Sequence, residues 1–562
     1  MALAGCEPAT PPDAPSPVRQ TAEQRTARNF MVAAAHPLAV EAGLAVLRRG
    51  GSAVDAAVAV QMTLGFVEAP ETGIGGGGFL LYFDAASGEL SFYDGRETAP
   101  AAAQPDRFTL LGLPVPRWFA MTSGRAVGVP GLVAMLALAH DRHGRLPWGE
   151  LMYPAIALAE SGVPMPERLR RESRRDPSLW LFRDTRRAFV APAGEPRPLL
   201  QSPEYAATLH ELATGGAASF YHGEIAAALV QRAHAGFPWA SDLSPEDLAG
   251  YVPRERAPVC GPYREWTVCG APPPSSGGIA LLQALGMLER FPLAQLGPRS
   301  AEAMHLLIEA QRLAFADRER FVGDPDFVDV PVTGLLDADY LQRRSVLIDP
   351  ARALDRALPG DPRQGLADGG GPVRTTRSSG GTSHFSIVDG DGNVVALTSS
   401  NEAPFGSRMM SGGFLLNNQL TDFSFDPQHA DGNHPNAVAA GKRPRSSMAP
   451  VIVFDAEGRV RLALGARGGP RIIPYVLKTL VAVLDWDLGI QEAIALPNFA
   501  YADGRVELER NTPLGMRGAE FIARGHRVRE TELASGLHGI ERVTEGWRGG
   551  ADPRLDGVAR GD

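Results

Sequence analysis

The sequence predicts an α+β protein. Apolar-periodic helical segments dominate from about residue 31 to residue 350, and a strongly β pattern begins at Thr382. With 562 residues, 44% of them apolar, the chain can bury several domains or one large multilayer core.

The first helix opens at His36-Pro37 and closes at Arg48-Arg49-Gly50-Gly51, basic residues then glycine, as a helix C-terminus prefers. Ser52-Ala53-Val54-Asp55 has the form of a capping box and opens a second helix to about Phe66. Gly73-Ile74-Gly75-Gly76-Gly77-Gly78 satisfies GxGxxG but runs from a helix into the strand-like Phe79–Asp84. A dinucleotide fingerprint needs strand, glycines, then helix, so these glycines read as a close-approach turn. A turn at Pro272–Gly278 precedes another helix, and Ala301–Phe321 is an amphipathic helix with His305 and Glu309 on one face, read as a solvated or packed pair and not as metal ligands. Residues 359–381 lack large apolar side chains apart from Leu366 and Val373 and read as a linker. Thr382–Asp389 and Val394–Ser400 form a hairpin around Gly390-Asp391-Gly392-Asn393; strands at Met448–Phe454 and Val460–Gly465 and a helix at Ile472–Trp486 follow.

Composition excludes several functions. The net charge of −9, with no block of like charge, provides no footprint for a phosphate backbone, so nucleic acid is not an expected partner. No apolar run approaches the roughly 20 residues needed to span a bilayer. Cys6, Cys260 and Cys269 are too few and too scattered for a zinc site, and HExxH and CxxC are absent; no metal and no cofactor is expected. Cys260 and Cys269 flank a hairpin, either as a disulfide or as two buried thiols. Leu3-Ala4-Gly5-Cys6 has the form of a lipobox followed by a proline-rich tether, yet the charged and apolar regions of a signal peptide are missing. A lipid anchor at Cys6 is left open, and with it an extracytoplasmic, periplasmic location.

A linker that ends at the first residue of a strand, with a hydroxyl at that point, has one chemical rationale. If the Gly381-Thr382 bond is cut, Thr382 becomes an N-terminus whose α-amine, with a pKa of about 7.7–8.0, serves as base for its own hydroxyl. Gly381 permits the strained backbone needed for that hydroxyl to attack the preceding carbonyl.

Thr382-Ser383-His384-Phe385-Ser386, with Val388-Asp389 and Asp391-Gly392-Asn393 beyond it, resembles the self-processing site of the γ-glutamyltranspeptidases, members of the N-terminal nucleophile hydrolase class. Further matching blocks are Gly75–Phe79, Asp94-Gly95-Arg96-Glu97, Pro272–Gly278, Ala316-Asp317-Arg318, Leu415–Gln419, Lys442-Arg443-Pro444 with Ser446-Ser447-Met448, and Gly468-Gly469. The resemblance implies a four-layer αββα sandwich and a precursor cut into two fragments that stay together as a heterodimer. Residues 1–30 would be leader and tether, 31–381 the large fragment and 382–562 the small one. It also implies acyl transfer from γ-glutamyl amides such as glutathione to Thr382, then to water, an amino acid or a peptide. Ser400 would assist the nucleophile, and Gly468 and Gly469 would form the oxyanion hole. Arg96, as a two-toothed fork, with Ser446 and Ser447 would clamp the donor α-carboxylate, and Gln419 and Asp422 would hold its α-ammonium.

Two departures from the family pattern stand out. Glu402 replaces the Asn of many members, and the segment between Asp422 and Ser446 is short and lacks Tyr, which leaves hydrolysis competitive with transfer. Glu402 and Asp422 together are costly unless a cation sits between them or one takes up a proton; a γ-glutamyl donor supplies that cation and a glutaryl donor does not. The rival readings are a glutaryl-type (cephalosporin) acylase of the same fold, against which Gln419 and Asp422 argue, and a catalytically silent anchored binding protein, which would need no Thr at a cut site.

Overall fold

A computed structural model of the continuous, uncut chain describes residues 26–191, 198–363, 380–426, 428–429 and 432–562. Cys6, the proline-rich tether and most of the linker before Gly381 lie outside the described residues. The tether was expected to run to residue 30, but Thr26–Ala27 already forms an edge strand paired to Trp547 and Arg548.

Two seven-stranded sheets stack at the centre. The first runs Val558–Gly561, Met31–Ala34, Gly381–Val388, Val394–Glu402, Gly77–Phe83, Leu90–Gly95, Arg254–Arg256, and the second runs Thr26–Ala27, Gly546–Ala551, His538–Val543, Val460–Gly465, Val451–Phe454, Trp266–Gly270, Val259–Tyr263. Helices Pro37–Arg48, Ala53–Val67 and Leu132–His143 pack on the outer face of the first, and Gly277–Leu288, Ala301–Phe321 and Ile472–Leu484 on the outer face of the second. The result is the αββα sandwich expected.

Local chemistry explains the elements. Pro37 opens its helix with the His36 ring accepting from Leu38 N, and Gly50 leaves it at φ +83°. The capping box forms, Ser52 and Asp55 each bonding the other's backbone N–H. The period of two along Gly381–Val388 sorts its side chains. Phe385 and Ile387 enter the core under the first helical layer, while Ser386 reaches across to the Ala463 carbonyl of the second sheet. Phe385 is fully buried, and Phe385→Ala would cost about 3–5 kcal/mol. Thr382 shares the parity of Ser386 and therefore faces the space between the sheets.

Cys260 and Cys269 stand directly opposite in the edge hairpin and are joined as a disulfide. The described helices include none long and apolar enough to cross a membrane.

Candidate active site

The two central strands of the first sheet bring the reacting groups together. Thr382 pairs with Ser400 and Gly381 with Glu402, and a register shift falls between Gly381 and Thr382. The Thr382 hydroxyl lies 3.1 Å from Ser400 Oγ, which donates to the Gly381 carbonyl at 2.5 Å and accepts from Glu402 N at 2.9 Å. Two glycines are required by contact. A Cβ on Gly381 would sit 2.3 Å from the Ala403 carbonyl carbon, and one on Gly76 would sit 2.2 Å from the Ser400 carbonyl oxygen. The glycine run after the second helix thus presses the Ser400 strand into place, as a close-approach turn. Glu402 ends its strand at φ +80°, a costly conformation for a side chain of its size.

Thr382, Ser400, Glu402, Gln419, Asp422, Arg96, Ser446, Ser447 and Gly469 line one small cavity. Gly468 is not among the residues lining it; it lies in contact with Gly380 of the uncut chain, at φ +127°. The Arg467 guanidinium donates to the Gly380 carbonyl at 3.1 Å and pairs with Glu71 at 2.8 Å, so the residue before Gly381 is held from that side as well. Ser446 is placed by the turn before Gly277–Leu288: Ser276 N and Oγ both donate to the Ser446 carbonyl, at 2.9 and 2.7 Å. The Arg318 guanidinium in turn donates to Ser276 Oγ at 2.8 Å and Ser447 Oγ at 2.9 Å.

Arg96 differs from the expected fork. It is wholly buried; its Nε donates to the Pro444 carbonyl at 3.0 Å, and its Nη2 to Asp422 at 2.7 Å and the Arg445 carbonyl at 3.0 Å. Two of its three nitrogens are committed to the protein, leaving Nη1, 3.6 Å from Glu97, for the cavity. Glu97 is buried, which pushes its carboxyl up to about 8 despite Arg96 beside it.

The cation between Glu402 and Asp422 is also different from that expected. It is Arg117, whose Nη2 donates to Glu402 Oε1 at 2.7 Å and Asp422 Oδ1 at 3.1 Å. Burial alone would raise the Asp422 carboxyl, but Arg96 and Arg117 outweigh it and hold it below the usual range. Gln419 donates to Asp422 Oδ2 at 2.9 Å, while its Oε1 is buried without a partner.

Sequence reasoning assigned no role to Arg117, Arg318, Arg445 or Arg467. Arg318 stood in a block already matched to the family; Arg117 sits 285 positions from Glu402 in a segment without a motif, and no local signal marks it. The pair His305 and Glu309 is buried beside His526, with ligand atoms within 4.8 Å. Glu309 spends one oxygen on Arg312 (2.7 Å) and the other on Leu354 N (2.8 Å), and the two imidazoles bond each other at 2.7 Å. Each group thus has its own protein partners, and of the two readings open from sequence, solvated or packed, the pair is packed.

A Thr at the second position of its strand, facing the space between two stacked sheets, with a partner hydroxyl that also reaches the Gly381 carbonyl, is an arrangement of the N-terminal nucleophile hydrolase class. Comparisons with known proteins narrow that class. The γ-glutamyltranspeptidase family profile matches residues 39–561. The glutathione hydrolase proenzyme of Bacillus subtilis is 37% identical over 85% of this chain and 83% of its own. The acylase ACY 1 proenzyme of Pseudomonas sp. SE83 is 35% identical over 97% of both. The crystal structure of cephalosporin acylase from Bacillus halodurans superposes with a TM-score of 0.83 at 28% identity, covering 98% of this chain and 99% of that one. The chain belongs to the γ-glutamyltranspeptidase family.

Proposed function

We propose that this chain is a precursor that cuts itself before Thr382 and then transfers or hydrolyses γ-glutamyl amides, glutathione among them. The observation that carries the reading is the Thr382–Ser400 hydroxyl pair opening onto a cavity that holds guanidinium, carboxylate and serine groups side by side. Such a set suits a zwitterionic α-carbon. Arg96 Nη1, Ser446 and Ser447 take the carboxylate, and Gln419 Oε1, with Asp422 and Glu402 behind it, faces the ammonium.

In the cleaved enzyme the α-amine of Thr382 takes the proton of its own hydroxyl. Oγ1 adds to the donor carbonyl, and the oxyanion is held by the backbone N–H groups of Gly468 and Gly469. The C–N bond breaks, the proton passes to the leaving amine, and an ester to Thr382 remains. Water or an acceptor amine then attacks the ester, giving its proton to the α-amine and restoring the hydroxyl.

Residues 31–381 and 382–562 remain associated, because strands of both fragments pair with each other within both sheets. An extracytoplasmic location is supported by the Cys260–Cys269 disulfide, and Cys6 offers the site for a lipid anchor there. The test is incubation of purified protein with a γ-glutamyl anilide, with and without an acceptor dipeptide, and mass spectrometry of the small fragment after quenching. A γ-glutamyl adduct on Thr382 is expected; anilide release without any adduct, surviving in Thr382→Ala, would overturn the mechanism.

A further inference from the structure

The ammonium subsite is already charge-paired before any donor arrives. Both Asp422 oxygens accept from protein groups, Oδ1 from Arg117 and Oδ2 from Arg96 and Gln419, and Glu402 Oε1 accepts from the same Arg117 Nη2. Arg117 does not line the cavity; it reaches the two carboxylates from the far side, on the short helix Arg117–Met121, with its side chain 18% exposed. An entering ammonium would therefore compete with a guanidinium that is already largely desolvated.

The balance of charge around the cavity agrees. The carboxylates of Glu402 and Asp422 face Arg96 and Arg117. On the serine side Arg318 and Arg445 both pair with the single carboxylate of Glu319. Counting Glu97, 3.6 Å from Arg96 Nη1, four carboxylates meet four guanidiniums, and one guanidinium is in excess only while the buried Glu97 carboxyl, pushed up to about 8, keeps its proton. A zwitterionic acyl group brings no net charge to neutralise it, whereas an acyl group with a free carboxylate and no amine brings one negative charge.

We propose that Arg117 sets the donor class of this site, supplying from within the protein the cation that a donor α-ammonium would otherwise bring, so that ω-carboxyacyl amides lacking an α-amine are accepted alongside γ-glutamyl amides. The proposal rests on the acyl-transfer reading above. Gln419 Oε1 still offers an ammonium one neutral acceptor, so γ-glutamyl donors are retained while the charge-based preference for them is lost.

The test compares γ-glutamyl and glutaryl anilides on the wild type, Arg117→Gln and Arg117→Lys. In the wild type the two kcat/KM values are expected within about tenfold of each other. Arg117→Gln keeps an amide donor near Glu402 but removes the charge; it should move the ratio at least tenfold toward the γ-glutamyl donor, through KM more than kcat. Arg117→Lys should hold the wild-type ratio. A wild-type preference for γ-glutamyl above about a hundredfold, or an unchanged ratio in Arg117→Gln, would overturn the proposal. Calorimetric affinities of glutamate and glutarate for the wild type give the same comparison without turnover. Absence of turnover on both anilides would then sink the enzymatic reading, while near-equal binding would still uphold the role of Arg117 and strong glutamate preference would refute it.

Discussion

Ser400 Oγ stands 2.5 Å from the Gly381 carbonyl oxygen, donating to it, while the Thr382 hydroxyl lies 3.1 Å away on the same atom. One hydroxyl thus touches both residues that flank the proposed cleavage point. In the proposed mechanism it polarises the carbonyl of the precursor and supports the nucleophile that cleavage creates. Wild-type protein, of 59.8 kDa as a single chain, is expected to appear as bands of about 40 and 20 kDa on denaturing electrophoresis. Thr382→Ala should run as one band, and Ser400→Ala should cleave at least tenfold more slowly, about 1.4 kcal/mol for one lost charge-stabilising hydrogen bond. Rapid cleavage of Ser400→Ala would remove that hydroxyl from the processing step.

Gly381→Ala should block processing by a different route. Its Cβ would meet backbone atoms of Ala403 and Pro404 at 2.3–2.6 Å, contacts that no rotamer change relieves. The strand must shift, carrying the carbonyl away from Ser400. N-terminal sequencing after prolonged incubation is the check: an appreciable yield of Thr at the first cycle would show that the strand yields more easily than this contact implies.

The α-carboxylate grip should depend on Arg96 in two ways. Arg96→Lys keeps a charge but has only one nitrogen to share among Asp422, the Pro444 and Arg445 carbonyls and the donor. KM for a γ-glutamyl anilide should rise about tenfold or more, given ~1.5–3 kcal/mol for a charged hydrogen bond, and the melting temperature should fall because buried carbonyls lose their donors. Kinetics and melting both unchanged would place Arg96 outside the site.

The cores of these elements were legible because their signals are local. The capping box at Ser52, the period of two from Thr382 to Val388 and the glycine-rich hairpin tip each depend on a few neighbouring residues. The site was legible only where a motif carried it. Thr382, Ser446 and Ser447 stood in family blocks and Ser400 at a position the resemblance implies, and the structure brings them to one cavity. What the donor atoms of Arg96 bond to, and the presence of Arg117 between Glu402 and Asp422, depend on contacts across some 300 positions of chain, for which spacing carries no information. Reading two nearby carboxylates as a demand for a cation was sound; that the protein meets the demand itself was not visible.

The last prediction concerns Glu97, buried against Arg96 with its carboxyl pushed up to about 8. In the unfolded chain the same group ionises near 4.5, so between these two values the folded state binds the extra proton. Stability from this group is therefore complete below about pH 4.5 and is lost as pH rises toward 8, by at most ~1.4 kcal/mol per unit where the difference in protonation is full. Asp422 has the opposite sign: its folded value is depressed, so its contribution is present at neutral pH and lost only in acid, outside this window. Glu97→Gln fixes the neutral form and isolates the effect. Melting of the Thr382→Ala precursor, with and without Glu97→Gln, should diverge steadily from pH 5 to pH 8, the Gln variant declining less. Parallel curves over that range would mean that Glu97 ionises in the fold much as it does in water, and that Arg96 Nη1 is paired to it and not free for a donor carboxylate.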